Sequence, residues 1–222
     1  MTDLPQSDPS AGPLEGLRVL DLATVLAGPL AGQILGDYGA DVIKIEHPTK
    51  GDSLRGHGGQ KDGHGLWWKM VARNKRCIGL YLGDPDGADL FLRLVETADV
   101  VIENFRPGTL ERWGLGPDRL RELRPELVIC RVTGFGQTGP YAERPAFGTL
   151  MEAMSGFAHI TGEADGPPPH TPVRMGRTKS GVATVTAGGF GRTERDPPRR
   201  GEGLDKSIRV PIVTPRGAHK LK

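Results

Sequence analysis

Ala98-Asp99-Val100-Val101-Ile102-Glu103-Asn104-Phe105-Arg106-Pro107-Gly108 decides how this chain is read. Its apolar start is a run of the kind found in strands covered on both faces. A polar Asn, an Arg and a Pro-Gly turn then stand where the strand ends. Ligands of open α/β sheets lie beyond the carboxyl ends of the strands. Asn104 and Arg106 are therefore placed where an anionic or amide-bearing ligand would sit. From Glu103 to Gly108 alone, an ordinary strand-to-helix turn with an Asn cap is the simpler reading.

Working outward, strands and helices alternate. Residues 16–22 (GLRVLDL) read as a first strand, and residues 30–38 as a helix after the Gly28-Pro29 break. Gly39 stands where a helix ends in the left-handed conformation. Residues 41–46 (DVIKIE) form a second strand, and residues 48–65 a long glycine-rich loop of a length usually tied to function or motion. A third strand is expected at 77–82. Asp84-Pro85 then opens a helix to about Thr97, with Asp as the N-cap and Pro in the first turn. That helix carries Leu90, Phe91, Leu94 and Val95 on one face. Residues 100–103, 117–123 and 127–132 complete a strand, a short helix and a fifth strand, and a helix is expected at 147–157. This alternation argues for an α/β fold, an open parallel sheet with helices on both faces and right-handed crossovers.

Composition narrows the function. The 222 residues suffice for one sizeable domain, and 33 Gly with 19 Pro promise many turns. A net charge of +2 argues against a specific nucleic-acid partner. Residues 191–222 hold nine cations against four acids, which sets a basic tail apart from a body with the opposite balance. No sustained period structures that tail. Residues 1–13 read as a disordered leader without the basic and apolar regions of a signal peptide. No run is long enough to span a membrane. Cys77 and Cys130 lie in strand-like runs and read as buried free thiols, suited to the cytoplasm. The six histidines show no metal-ligand spacing, and no G-x-S-x-G is present. The turn Thr24–Pro29 suits close backbone approach to a phosphate or a plain βα turn equally. Arg73-Asn74-Lys75-Arg76 suits phosphate, although a solvated loop is the simpler reading. Trp67-Trp68 suits core packing better than base stacking.

Five blocks then combine. LEGLRVLDLATVLAGPLAGQILGDYGADVIKIEHPTKGDSLR, RNKRCIGLYL, ADVVIENFRPGTLERWGL, ELVICRVTGFGQTGPY and RPAFGTLMEAMSGFAHITG resemble, in order and spacing, the class III CoA-transferases, from about Leu14 to Pro172. The resemblance implies a Rossmann-like large domain over residues 14–190 that binds coenzyme A, and an interlocked homodimer acting on an acyl-CoA and a carboxylic acid. By motif position it implies CoA contacts at Val25, Ala27, Leu80, Asn104 and Arg112. Thr24 and His47 stand where formyl-CoA transferase has other residues, and Lys75 matches a family Lys for which a phosphate role is expected. The family nucleophile is an Asp that attacks the thioester. Here no Asp lies between Asp165 and Asp196, and Ser180 or Gly181 occupies the approximate place, so no catalytic residue is assigned. Phe147-Gly148 replaces the racemase His-Asp pair. The tail carries a worn copy of a later family block, RRGEGLDKSIRVPIV. These departures imply a shortened member of the family, with a CoA-binding module without catalysis, or the product of a broken reading frame, as alternatives.

Overall fold

The structure is a computed structural model that describes residues 12–146, 148–155, 166 and 207–211. Ser180 and Gly181, at the approximate place of the family nucleophile, fall outside these, as do most of the expected leader and basic tail.

Six strands make one parallel sheet: β1 (Arg18–Asp21), β2 (Asp41–Glu46), β5 (Lys75–Gly79), β6 (Val100–Glu103), β7 (Val128–Thr133) and β8 (Ser207–Pro211). Their spatial order is β5-β2-β1-β6-β7-β8. Counted along the chain within this sheet, that is the order 3-2-1-4-5-6, the doubly wound arrangement of dinucleotide-binding folds. The register pairs Leu20 with Ile43 on one side and with Val101 on the other. The outermost strand, β8, pairs along β7 from Ile129–Ser207 to Thr133–Pro211, an element within the basic tail that the sequence pattern did not assign.

Alternation of side chains sorts the core onto the two faces. Leu20, Leu22, Ile43, Ile45, Val101 and Ile129 point to one face. There they meet Phe91 and Val95 of α3 (Pro85–Val95), Leu110 of α4 (Thr109–Arg112) and Leu120 of α5 (Pro117–Leu123). Val19, Val42, Val100, Ile102, Val128 and Cys130 point to the other, against Ala31 and Leu35 of α1 (Ala27–Asp37).

Several boundaries differ from the sequence reading for identifiable reasons. Helix α1 starts at Ala27, so Gly28 and Pro29 lie inside its first turn rather than before it. A proline there lacks only an N–H that would have no intrahelical partner. Gly28 is needed for packing: a Cβ on it would stand 2.2 Å from the Cβ of Ala23. On α3, Asp84 caps the helix by accepting from the Asp86 N–H at 3.0 Å, as expected, but Leu90 is 47% exposed. The buried face there is Gly87, Phe91 and Val95. Strand β5 begins and ends earlier than expected and lies at the sheet edge. Cys77 is consequently exposed, a correction to its reading as buried, while Cys130 in the central β7 is buried. The long loop is not structureless. It holds a 3-10 turn (Ser53–Gly56) and the two-stranded β3 (Gln60–Lys61) and β4 (His64–Gly65), and it leads into α2 (Leu66–Val71). Helix α6 (Gly148–Met154) is the last helix described. No described helix is long and apolar enough to cross a membrane.

Candidate ligand-binding site at the switch point

Connections from the sheet leave in opposite directions on either side of the β1–β6 pair. A crevice opens at that point beyond the carboxyl ends of the strands. It holds a cavity of about 280 Å³ lined by Thr24–Ala27, Asn104–Pro107, Val132–Gly134 and residues between 142 and 148. A neighbouring cavity of about 390 Å³ shares Pro107 and Ala142 and extends along Gln137–Pro140. The two turns that looked chemically loaded in the sequence, 24–29 and 104–108, thus face each other across one opening.

The first wall is the β1–α1 turn. Leu26 occupies the N-cap of α1 and supplies no side-chain hydrogen bond. Helix starts of this kind leave backbone N–H groups and a positive dipole end available to an anion. The second wall is the turn after β6. Asn104 joins the two: its Oδ1 accepts the Thr24 N–H at 2.8 Å, and its Nδ2 donates to the Thr24 carbonyl at 2.8 Å. Asn104 therefore braces the first turn with both ends of its amide. Gly108 (φ +81°) then lets the chain enter α4 in the left-handed region.

Charges are buried beneath both walls. On the α4 face, Arg131 donates to Glu103 at 2.6 Å and to both oxygens of Glu111 at 2.6 and 3.2 Å. Glu103 is fully buried and also accepts the Phe105 N–H at 2.6 Å, which sets the start of the turn. Burial pushes the Glu103 carboxyl above its ordinary value despite Arg131. Burial acts in the same sense on Glu111, but there Arg131 outweighs it and the carboxyl is held low. On the α1 face, Asp21 and Lys75 pair at 2.8 Å with neither side chain exposed, and Lys44 lies 3.4 Å from Asp52, equally buried.

The residues expected from the sequence divide accordingly. Thr24, Val25, Ala27 and Asn104 line the cavity. Arg112 stands beside it on α4, exposed, with its guanidinium on the Thr109 hydroxyl at 3.0 Å. Leu80 packs on the core below the sheet, its N–H bound to the Glu46 carbonyl, and does not line the cavity. His47 follows β2 with its ring 4.9 Å from that of Tyr81, also away from the cavity. The phosphate role expected for Lys75 is corrected: its ammonium is held by Asp21 and by the Pro29 carbonyl at 2.5 Å, with no path to solvent. Arg106 and Arg144 do line the cavity, both exposed, with Arg144 lying 4.2 Å over the Tyr141 ring. Thr133 lines it too, and its buried hydroxyl has no partner among the described residues. Arg106 lay in plain view in the opening stretch, whereas Arg144 and Thr133 lay inside quoted blocks without a signal of their own. Trp68 packs beneath Arg55 at 3.8 Å and against the Leu26–Leu54–Val71 cluster, while Trp67 is 41% exposed.

A doubly wound sheet with a cavity at its switch point, an uncapped helix start and cationic rim residues is the arrangement in which open α/β folds place their ligand sites. The sequence goes further: the profile of CoA-transferase family III matches residues 14–208, and the chain belongs to that family. It is similar to a succinyl-CoA–D-citramalate CoA-transferase of Chloroflexus aurantiacus, 51% identical over 165 residues, 74% of this chain and 41% of that protein. A succinate–glutarate CoA-transferase of Agrobacterium fabrum is 47% identical over 194 residues, 84% of this chain and 48% of that protein. Among solved structures, a CAIB/BAIF family protein from Brucella suis superposes with a TM-score of 0.80 at 40% identity, covering 84% of this chain and 50% of that one. The chain thus spans about half the length, or less, of the relatives it matches.

Proposed function

We propose that this chain carries the CoA-binding half of a class III CoA-transferase, a protein that moves CoA between an acyl-CoA and a carboxylic acid. One observation carries the reading: the two signature turns, 24–29 and 104–108, meet at the switch-point cavity. Backbone donors of the α1 start and the guanidiniums of Arg106 and Arg144 suit phosphates or carboxylates. The apolar lining from Val25, Leu26, Phe105 and Val132 suits a pantetheine arm. Thr24, Val25, Ala27 and Asn104 form the contact surface, with Arg112 beside it. The two curated relatives are named for succinate paired with citramalate or glutarate, which supports a dicarboxylic acid as acceptor. The working form is a homodimer in the cytoplasm. The exposed Leu66, Trp67 and Met70 of α2 are an apolar surface of the kind that subunits cover.

A second reading is a CoA-binding module without catalysis. It is favoured by the lack of any Asp between Asp165 and Asp196, where the family nucleophile belongs. Two measurements separate the readings. CoA should raise the thermal midpoint of the chain in proportion to the logarithm of its concentration above saturation. No shift at millimolar CoA would sink both. Turnover of succinyl-CoA with dicarboxylic acids would then favour the transferase, and stabilisation without turnover the module.

A further inference from the structure

Among the described residues, three other than glycine have a positive φ: Val25 (+67°), Asp62 (+52°) and Asn74 (+59°). Asp and Asn tolerate that region, whereas a β-branched residue is a true outlier there. Val25 lies in the first wall of the cavity, one residue after the Thr24 backbone that Asn104 grips from the other side.

What holds Val25 there comes from a distant segment. Its N–H donates to both carboxylate oxygens of Asp52, at 3.1 and 3.3 Å. Asp52 belongs to the loop after β2 and is 2% exposed. The same carboxylate accepts the Leu54 N–H at 2.9 Å, and the Asp52 N–H donates to Glu46 at 2.8 Å, so its own position is fixed. Lys44 closes the arrangement. Its ammonium, 1% exposed, lies 3.4 Å from the Asp52 carboxylate and donates to the Ala23 carbonyl at 2.5 Å. One buried cation thus touches both the turn and the carboxylate that shapes it.

We propose that Asp52 is a positioning residue for the ligand-binding turn. Supported by Lys44, it holds Val25 in the left-handed conformation and so aims the backbone between Thr24 and Ala27 into the cavity. Its effect on CoA rests on the reading of that cavity given above, but its effect on the turn does not.

Asp52→Ala alone would strand the buried Lys44 ammonium, so the test is run in Lys44→Met chains, with and without Asp52→Ala, and with Val or Gly at position 25. Two quantities are read: the sign of φ at residue 25 from backbone chemical shifts, and CoA affinity from the thermal shift. With Val25 present, removing Asp52 is expected to return φ to the negative region and weaken CoA about tenfold, the scale of one such backbone strain. With Gly at 25, which adopts the left-handed region freely, the same removal should change affinity by less than about threefold. Asp52→Asn in the native background keeps an acceptor for the Val25 and Leu54 amides. It is expected to keep φ positive and affinity within about threefold, since a neutral acceptor still makes the bond. A positive φ at Val25 without Asp52, equal affinity losses with Val and Gly, or an Asp52→Asn chain that loses the turn would each overturn the proposal. If φ responds as expected while native protein gains no stability from CoA, the ligand reading fails and the positioning role stands.

Discussion

The two turns that wall the cavity reach left-handed backbone by different means. After β6 the chain uses Gly108, whose φ of +81° carries no steric penalty. After β1 it uses Val25 at +67°, a residue poorly suited to that conformation, and imposes the geometry through Asp52 from another loop. The Gly108 turn is shaped by its own residue and the Val25 turn by charge buried elsewhere. Local substitution should therefore disturb the Gly108 turn most, whereas the Val25 turn should answer to residues far away in sequence.

The largest effect is expected under the Gly108 wall, where Arg131 holds two carboxylates. Arg131→Met leaves Glu103 buried without a counter-charge. Losing one partner of a buried pair costs about 3–5 kcal/mol. Glu103 can escape part of that cost by taking up a proton, because burial already raises its pKa and Arg131 is what opposes the rise. The destabilisation, measured by urea unfolding, should therefore be large at pH 8 and clearly smaller at pH 5. Equal losses at both would show that the Glu103 charge is not what Arg131 serves.

The turns themselves give the direct contrast. Gly108→Ala should cost about 1 kcal/mol, the ordinary penalty of a Cβ in the left-handed region. Val25→Gly removes strain at the price of some packing against Leu26, Leu54 and Val71. Its thermal midpoint is expected to stay level or rise, although glycine normally destabilises by about 0.5–1 kcal/mol. If Val25→Gly proves more destabilising than Gly108→Ala, the contrast between the two turns is wrong.

Much of this architecture was legible in the sequence. The β-branched runs of β2 and β6 and the Asp84-Pro85 helix start signal their elements locally, and the structure keeps them within a residue or two. That turns 24–29 and 104–108 serve one ligand was implied by the family blocks, and the structure adds that they face each other across one cavity. Buried charge was harder to read. Lys75 is one of three cations in Arg73-Asn74-Lys75-Arg76, a segment that reads as a solvated loop or a phosphate loop, yet strand pairing with β2 turns it inward onto Asp21. Lys44 carried a usable signal, a cation inside the apolar run DVIKIE of a strand covered on both faces. Asp52 carried none. Its role depends on a loop folding back onto β1, a long-range contact that no local pattern encodes. Cys77 was misread because its run is strand-like, and periodicity does not distinguish an edge strand from a central one.

The smallest expected effect lies at the outer end of the Asp52 arrangement. Glu46, 8% exposed, accepts the Asp52 N–H and a two-pronged pair from Arg55, both prongs at 2.8 Å. Burial alone would raise its pKa, but Arg55, the Asp52 N–H and Lys44 together outweigh it and hold the carboxyl below the ordinary 4.5. A depressed folded-state pKa means that the stabilisation is complete above about pH 4.5 and is lost as pH falls through the lowered value. Glu103 has the opposite sign: its raised pKa makes the ionised form a cost that appears as pH rises past 4.5 and disappears on acidification. The two walls should thus pull the acid limb of the stability curve in opposite directions. Because the Arg55 side chain is 47% exposed, the Glu46 contribution is screened and amounts to about 1 kcal/mol at most. Glu46→Gln should lower stability by that amount at pH 7 and by nothing measurable below the pKa of Glu46, whereas Glu103→Gln should flatten the curve on the acid side of neutrality. Thermal midpoints of both variants between pH 3 and pH 7 decide the matter, and a Glu46→Gln deficit that persists at pH 3 would remove this carboxylate from the ionic support of the Val25 turn.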